Sequence, residues 1–265
     1  MDARGPAPTP SAAHSSHPRP VAIVTGGSRG IGAATARRLA RDGWDLVLTY
    51  RTDAEAARRV AELCREAGAD AVVVAADRTG APDAAIEAPF DAAHAAFGRL
   101  DAVVDNAGTT TRYAPLADTP AEEIRTTIDV DFTAVVLTAR RAVQEFTATG
   151  TPGVIVAVSS GAATIGSPGE YTHYAAAKAA VDAFAMGLGK EVGPLGIRVV
   201  AVAPGLVDTE LHARTGDPGR TQRMAAGIPL GRAATPEEIA GTIAWLVGPE
   251  ASYVTATTLR VAGGR

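Results

Sequence analysis

From Val21 onward the chain alternates two kinds of hydrophobic pattern. Short apolar runs recur as VAIVT, DLVLTY, AVVVAA, AVVDNAG, GVIVAVSS, RVVAVAPG and TLRVAGG. A strand with one wet face alternates apolar and polar residues, whereas these Val-rich runs do not, so they predict strands covered on both faces. Segments with helical signatures lie between them. Three open on a threonine followed three residues later by a glutamate: Thr52/Glu55, Thr119/Glu122 and Thr235/Glu238. That spacing predicts capping boxes, with Pro120 and Pro236 at first helical positions, where a missing N–H is harmless. Strand, helix, strand in repetition predicts an α/β fold of the Rossmann type. It would be a doubly wound, seven-stranded, mostly parallel sheet with helices on both faces.

No linker or repeat interrupts residues 20–265, so a single domain is expected there. Residues 1–19, rich in Pro, Ala and Ser, are expected to be a disordered tail. The 265-residue chain is 46% hydrophobic and 20% charged, with a net charge of -4. That mild charge excludes any strong electrostatic case for nucleic acid or an anionic membrane. No apolar run reaches the ~20 residues needed to span a bilayer. The single cysteine, Cys64, cannot form an internal disulfide, which fits a reducing, cytoplasmic setting and predicts a small core residue. His14, His17, His94 and His212 lack companions at ligand spacing, so no metal site is expected.

Chemistry begins directly after the first strand, at TGGSRGIG, Thr25 to Gly32. A glycine-rich turn from strand into helix lets the backbone approach a pyrophosphate, and the helix N-terminus supplies free N–H groups and partial positive charge. Its glycines, Gly26, Gly30 and Gly32, depart from the G-x-G-x-x-G spacing.

The second signal is EYTHYAAAKAA, residues 170–180. A helix rises ~1.5 Å per residue, which puts Tyr174 and Lys178 one turn apart on one face and Tyr171 about 10 Å from the lysine. Tyr171 follows Pro168 and Gly169 and is expected before regular helix begins. Reduction of a carbonyl needs a proton on oxygen, and a phenol near an ammonium can deliver it. Bringing a tyrosine from ~10 to near 7 takes about 4 kcal/mol. Two unit charges ~4 Å apart supply about that much at an effective dielectric of ~20. Tyr174 is therefore the candidate general acid/base and Lys178 its tuner. His173 is expected to point away from that face, toward the surface.

T-G-x-x-x-G-x-G, followed by DNAG at 105–108, SS at 159–160, Y-x-x-x-K at 174–178 and PG at 204–205, resembles the short-chain dehydrogenase/reductase family. The segments GSPGEYTHYAAAK and ASYVTATTLRVAGG resemble its branch related to glucose 1-dehydrogenases and 3-oxoacyl-carrier-protein reductases. The resemblance implies a pyridine-nucleotide oxidoreductase interconverting a secondary alcohol and a ketone on a small-molecule substrate, and a homotetramer. It implies that Ser160 orients the substrate, with Ser159 as fallback, and that Lys178 also binds the nicotinamide ribose. Asp131 falls where the family carries a catalytic asparagine, and its carboxylate could pair with Lys178.

The cofactor is expected against Gly26, Ser28, Arg29, Gly30, Ile31, Gly32, Asn106, Ala107, Gly108, Tyr174, Lys178, Pro204, Gly205, Val207 and Thr209, with Asp77 at the adenine. Arg29 and the Tyr50–Arg51 pair predict NADP over NAD, because two guanidiniums can grip a 2′-phosphate. Asp53, near the distance expected for an NAD-binding acid, is placed inside the following helix, behind a Thr52 cap. A cofactor-binding sensor or scaffold without turnover is the rival reading. It has no need of an acid and its tuner.

Overall fold

The computed structural model describes residues 19–209 and 219–265, apart from the side chains of residues 220–222. The predicted tail thus lies outside the described residues, except for Arg19. That residue belongs to the domain: it donates to the carbonyls of Gly43 (3.1 Å) and Gly68 (2.6 Å) and faces the Asp45 carboxylate at 3.2 Å.

All seven apolar runs are strands. β1 (Val21–Val24), β2 (Asp45–Tyr50), β3 (Ala71–Ala75), β4 (Ala102–Asp105), β5 (Val154–Val158), β6 (Arg198–Pro204) and β7 (Thr257–Val261) form one sheet in the order β3-β2-β1-β4-β5-β6-β7. Every pairing is parallel. The missing alternation has its cause in the two faces. Ala22, Val24, Leu46, Leu48, Val104, Val156 and Val202 point to one core, against α1 (Gly30–Arg41), α2 (Ala54–Glu66) and, far along the chain, α9 (Pro236–Val247). Their neighbours Val21, Ile23, Val47, Val103, Ile155 and Val199 point to the other, against α3 (Asp83–Phe97), α5 (Ala134–Thr149) and α7 (Thr172–Val192). Two apolar faces exclude water from both sides of each strand.

Three further helices are short: α4 (Ala121–Ile128), α6 (Ala162–Ile165) and α8 (Arg220–Ala225). Between α4 and α5 the helix widens into a π turn, Asp129–Thr133. Only one of the three capping boxes forms. Thr235 and Glu238 satisfy each other's backbone N–H at the start of α9, with Pro236 first in the helix. At α2 the cap is Asp53, not Thr52, and its carboxylate accepts from Ala56 N–H at 2.9 Å. Asp53 therefore precedes the helix instead of lying within it. At α4 the cap position is Pro120, while the Thr119 hydroxyl donates backward to the Pro115 carbonyl at 3.1 Å. In both cases a side chain with a nearer backbone partner displaced the pattern.

Among the described residues no helix is long and apolar enough to cross a membrane. Cys64 is buried, as expected, and burial pushes its thiol up to about 11.

Candidate active site

Because the sheet is parallel, the carboxyl ends of β1 through β6 share one edge. A cleft of about 520 Å³ opens there. Sequence-predicted residues from the whole chain line it: Gly26, Ser28, Arg29, Gly30 and Ile31 after β1, and Tyr50 and Arg51 at the end of β2. Asp77 follows β3, and Asn106, Ala107 and Gly108 follow β4. Asp131, Ser160, Tyr174, Lys178, Pro204, Gly205, Val207 and Thr209 complete the set. Gly32 is the exception. It is buried beneath the loop, where an added Cβ would stand 2.3 Å from the Gly26 carbonyl. It lets helix and loop pack closely instead of touching a ligand. His212 lies outside the described residues.

The glycine turn suits a dinucleotide's pyrophosphate. Gly26 takes a left-handed φ of 65°, which a side chain would strain. Helix α1 starts without a side-chain cap and without an acid in its first turn, so its N-terminal N–H groups face the cleft with their partial positive charge uncompensated. The Asn106 amide donates to the Thr25 carbonyl at 2.9 Å and clamps the turn after β4 to the glycine loop.

Tyr171 stands at the cap position of α7 with non-helical backbone (φ -156°, ψ 61°), outside the helix, and Tyr174 stands within it. Tyr171 stacks on Tyr113 (centroids 5.0 Å apart, 30° tilt) and meets Tyr174 edge-on (5.1 Å, 80°). The two serines after β5 point in different directions. Ser159 is buried, with its hydroxyl donating to the Lys178 carbonyl at 3.1 Å and a further hydrogen bond to Asp182. Ser160 faces the cleft and hydrogen-bonds Tyr174, while its oxygen accepts from Ala162 N–H at 3.1 Å.

Lys178 is only 3% exposed. Its ammonium donates to the Val158 carbonyl at 3.0 Å and to Asp131 Oδ1 at 3.1 Å, and sits 5.7 Å from the Tyr174 ring centre. Asp131 is fully buried in the π turn and also accepts from Thr109 N–H at 3.3 Å. Burial raises the Asp131 pKa and Lys178 opposes that rise. Tyr174 is raised as well, first by burial and then by the Asp131 charge, with the Ser160 hydrogen bond pulling the other way. Lys178, the expected source of a downward pull, is paired with the Asp131 carboxylate. Gly108 is needed here for space, since a Cβ at that position would approach Asp131 Oδ1 to 2.7 Å.

A profile for the family described as enoyl-(acyl carrier protein) reductase matches residues 26–265. The chain is 40% identical to 3beta-hydroxysteroid dehydrogenase 1 of Eggerthella lenta over 91% of its length and 92% of the relative's. It is 35% identical to glucose 1-dehydrogenase 2 of Bacillus subtilis, covering 92% and 93%. A short-chain dehydrogenase from Burkholderia cenocepacia, solved in complex with NADP, superposes with a TM-score of 0.84 at 35% identity, covering 92% and 96%. The chain belongs to the short-chain dehydrogenase/reductase family. As a short-chain dehydrogenase/reductase it is an NAD(P)-dependent oxidoreductase acting between alcohols and ketones, and the expected resemblance to the glucose dehydrogenase branch holds.

Three features of this short-chain dehydrogenase/reductase escaped sequence reasoning. Arg78 and Asp105 form a buried bidentate ion pair, 4% and 2% exposed, beside the cleft. Thr25 joins it, donating to Asp105 at 2.8 Å while accepting from the N–H groups of Asn106 (3.0 Å) and Ala107 (2.9 Å). An aspartate closing an apolar strand demands a partner, and that demand was the available signal. His173 is buried instead of exposed, its Nε2 3.2 Å from the Thr111 hydroxyl, because the loop after β4 folds over the start of α7. Finally, Arg260 and Arg265 reach the cleft from β7 and the segment after it. Among the described residues no cluster of three His, Cys, Asp or Glu side chains could hold a metal ion.

Proposed function

We propose that Tyr174 is the general acid/base, with Ser160 holding the substrate oxygen, Lys178 and Asp131 setting the charge behind the phenol, and NADP(H) the preferred cofactor. The observation that carries this reading is that Tyr174 and Ser160 line the same cleft, with Lys178 one helical turn from the tyrosine and 5.7 Å from its ring centre. The bound nicotinamide would supply or accept the hydride. The Ser160 hydroxyl orients the carbonyl oxygen, and the Tyr174 hydroxyl gives it a proton in reduction or takes one in oxidation. A raised tyrosine is protonated at neutral pH, the form that donates the proton in reduction. Oxidation first requires a tyrosinate, which burial and Asp131 both oppose.

NADP(H) rests on the guanidiniums of Arg29 and Arg51 at the end of the cleft beyond β2. Asp53, the residue that could favour NAD(H), engages the backbone of its own helix and borders a neighbouring shallow cleft. The reading includes a homotetramer, supported by the exposed Trp245 on α9 and by the fully exposed Tyr253 just before the edge strand β7. It also includes a cytoplasmic site of action, supported by the lone buried thiol. A sensor or scaffold with little turnover is favoured by one observation, the neutralisation of Lys178 by Asp131.

Tyr174→Phe decides between these. The enzyme reading expects turnover to fall 10²–10⁴-fold with cofactor binding unchanged. Retention of more than about a hundredth of the rate would remove Tyr174 from the role. Absence of turnover with any ketone in the unaltered protein would favour the sensor. Equal or better kcat/KM with NAD(H) would overturn the cofactor preference.

A further inference from the structure

The end of the cleft remote from Arg29 and Arg51 also carries two guanidiniums. Arg260 leaves β7 and donates to the Thr164 hydroxyl on α6 and to the Arg265 carbonyl at 2.7 Å. Those bonds fix its fork beside Gly161, where its Nη2 lies 3.9 Å from the place a Cβ would occupy. Arg265 is half-buried, and among the described residues its side chain bonds to the soft Met224 sulfur at 4.0 Å. Neither arginine is paired with an Asp or Glu carboxylate among the described residues. Both line the cleft together with Gly161, Ala162 and Ile165.

Among the described residues the acids lining the cleft lie elsewhere. They are Asp77 after β3 and Asp131 beneath Lys178. Asp182 feels the Arg260 charge but is engaged with Ser159 and Thr258. The same cleft has an apolar wall, the stacked Tyr113 and Tyr171 rings running on to Tyr174. Arg260 is exposed and Arg265 half-buried, so both guanidiniums are open to an anion entering that end of the cleft. A planar guanidinium matches a carboxylate in fork geometry.

We propose that the substrate carries a carboxylate, or an equivalent anionic group, bound by Arg260 and Arg265, and that a ring or flat apolar body joins it to the reacting carbonyl along the tyrosine wall. The proposal rests on Tyr174 and Ser160 being the reacting end. It names a substrate class for that same site.

The test uses ketones paired as free acid and methyl ester, 4-acetylbenzoate and 3-oxocyclohexanecarboxylate among them, with NADPH and the whole protein. The acid of at least one pair is expected to be reduced with a kcat/KM about 10- to 100-fold above its ester, chiefly through KM. In Arg260→Gln and Arg265→Gln that ratio should fall toward one, and in the double variant reach it. Thermal melting would confirm that each variant is folded. Esters reduced as well as acids throughout, or an acid preference surviving in the double variant, would overturn the proposal and leave the oxidoreductase site standing. Reduction of no ketone at all would sink the reading of the site, and this proposal with it.

Discussion

Two buried ion pairs flank the cleft, and they are built differently. Arg78–Asp105 joins the ends of β3 and β4, with both guanidinium nitrogens on both carboxylate oxygens and further bonds to Thr25 and Thr138. Lys178–Asp131 joins α7 to the π turn through one contact of 3.1 Å, with Val158 as the lysine's other acceptor. The first is a planar fork that fixes direction. The second is a point charge on a flexible stem, beside a tyrosine whose proton is to move. Arginine stays charged when buried, whereas lysine and carboxylate shift readily. The rigid pair therefore suits the turn that carries Asn106 and Ala107, and the adjustable pair suits the chemistry.

Breaking the rigid pair should produce the largest effect. Arg78→Met leaves Asp105 buried and alone, and should lower unfolding free energy in urea by about 3–5 kcal/mol. Arg78→Met with Asp105→Asn should recover most of that loss, since no buried charge remains. A single-variant loss under about 1 kcal/mol would mean that water already reaches the pair.

Lys178→Met should destabilise less, because Asp131 can take up a proton. Its sign with pH is a second test. The folded state of that variant holds an aspartate raised above its unfolded value. The contribution is fully present below the unfolded pKa and is lost as pH rises through the folded one. Unfolding free energy of Lys178→Met should thus fall, relative to unaltered protein, as pH rises above the ordinary aspartate value of about 4. A flat difference would show that Asp131 does not take up the proton.

Asp131→Asn acts on the chemistry, and Lys178 keeps the Val158 carbonyl as an acceptor. Removing the carboxylate frees the ammonium and withdraws a charge that raises Tyr174. Activity should persist, and the alkaline limb for alcohol oxidation should move to lower pH by on the order of one unit. An unshifted kcat/KM profile would make Asp131 a bystander, and lost activity would mean that its carboxylate relays the proton. The smallest effect belongs to a buried group without an ionic partner. Cys64, raised to about 11 by burial, should stay unmodified by thiol reagents in the native protein and react at once in denaturant. Native-state labelling would contradict its place in the core.

The sequence by itself determined the seven strands, their parallel order of succession, the glycine turn and the Tyr174/Lys178 spacing. Each is written in residues close together in the chain: an apolar run, a strand-turn-helix junction, one turn of helix. Parallel strands also bring their carboxyl ends to one edge, so nearly every expected cleft residue arrived there. Tertiary structure decided what depends on partners distant in sequence. Arg78 found Asp105, Asp131 found Lys178, and His173 was covered by a loop from the far side of β4. The π turn under Asp131 breaks the helical period that pattern reading relies on. Gly32 was read as a ligand contact because only the folded loop shows the Gly26 carbonyl above it. Caps at Thr52 and Thr119 failed because Asp53 and the Pro115 carbonyl offered nearer bonds. Local pattern carries backbone geometry. The pairing of buried charges is settled only when desolvation leaves each one a single neighbour to face.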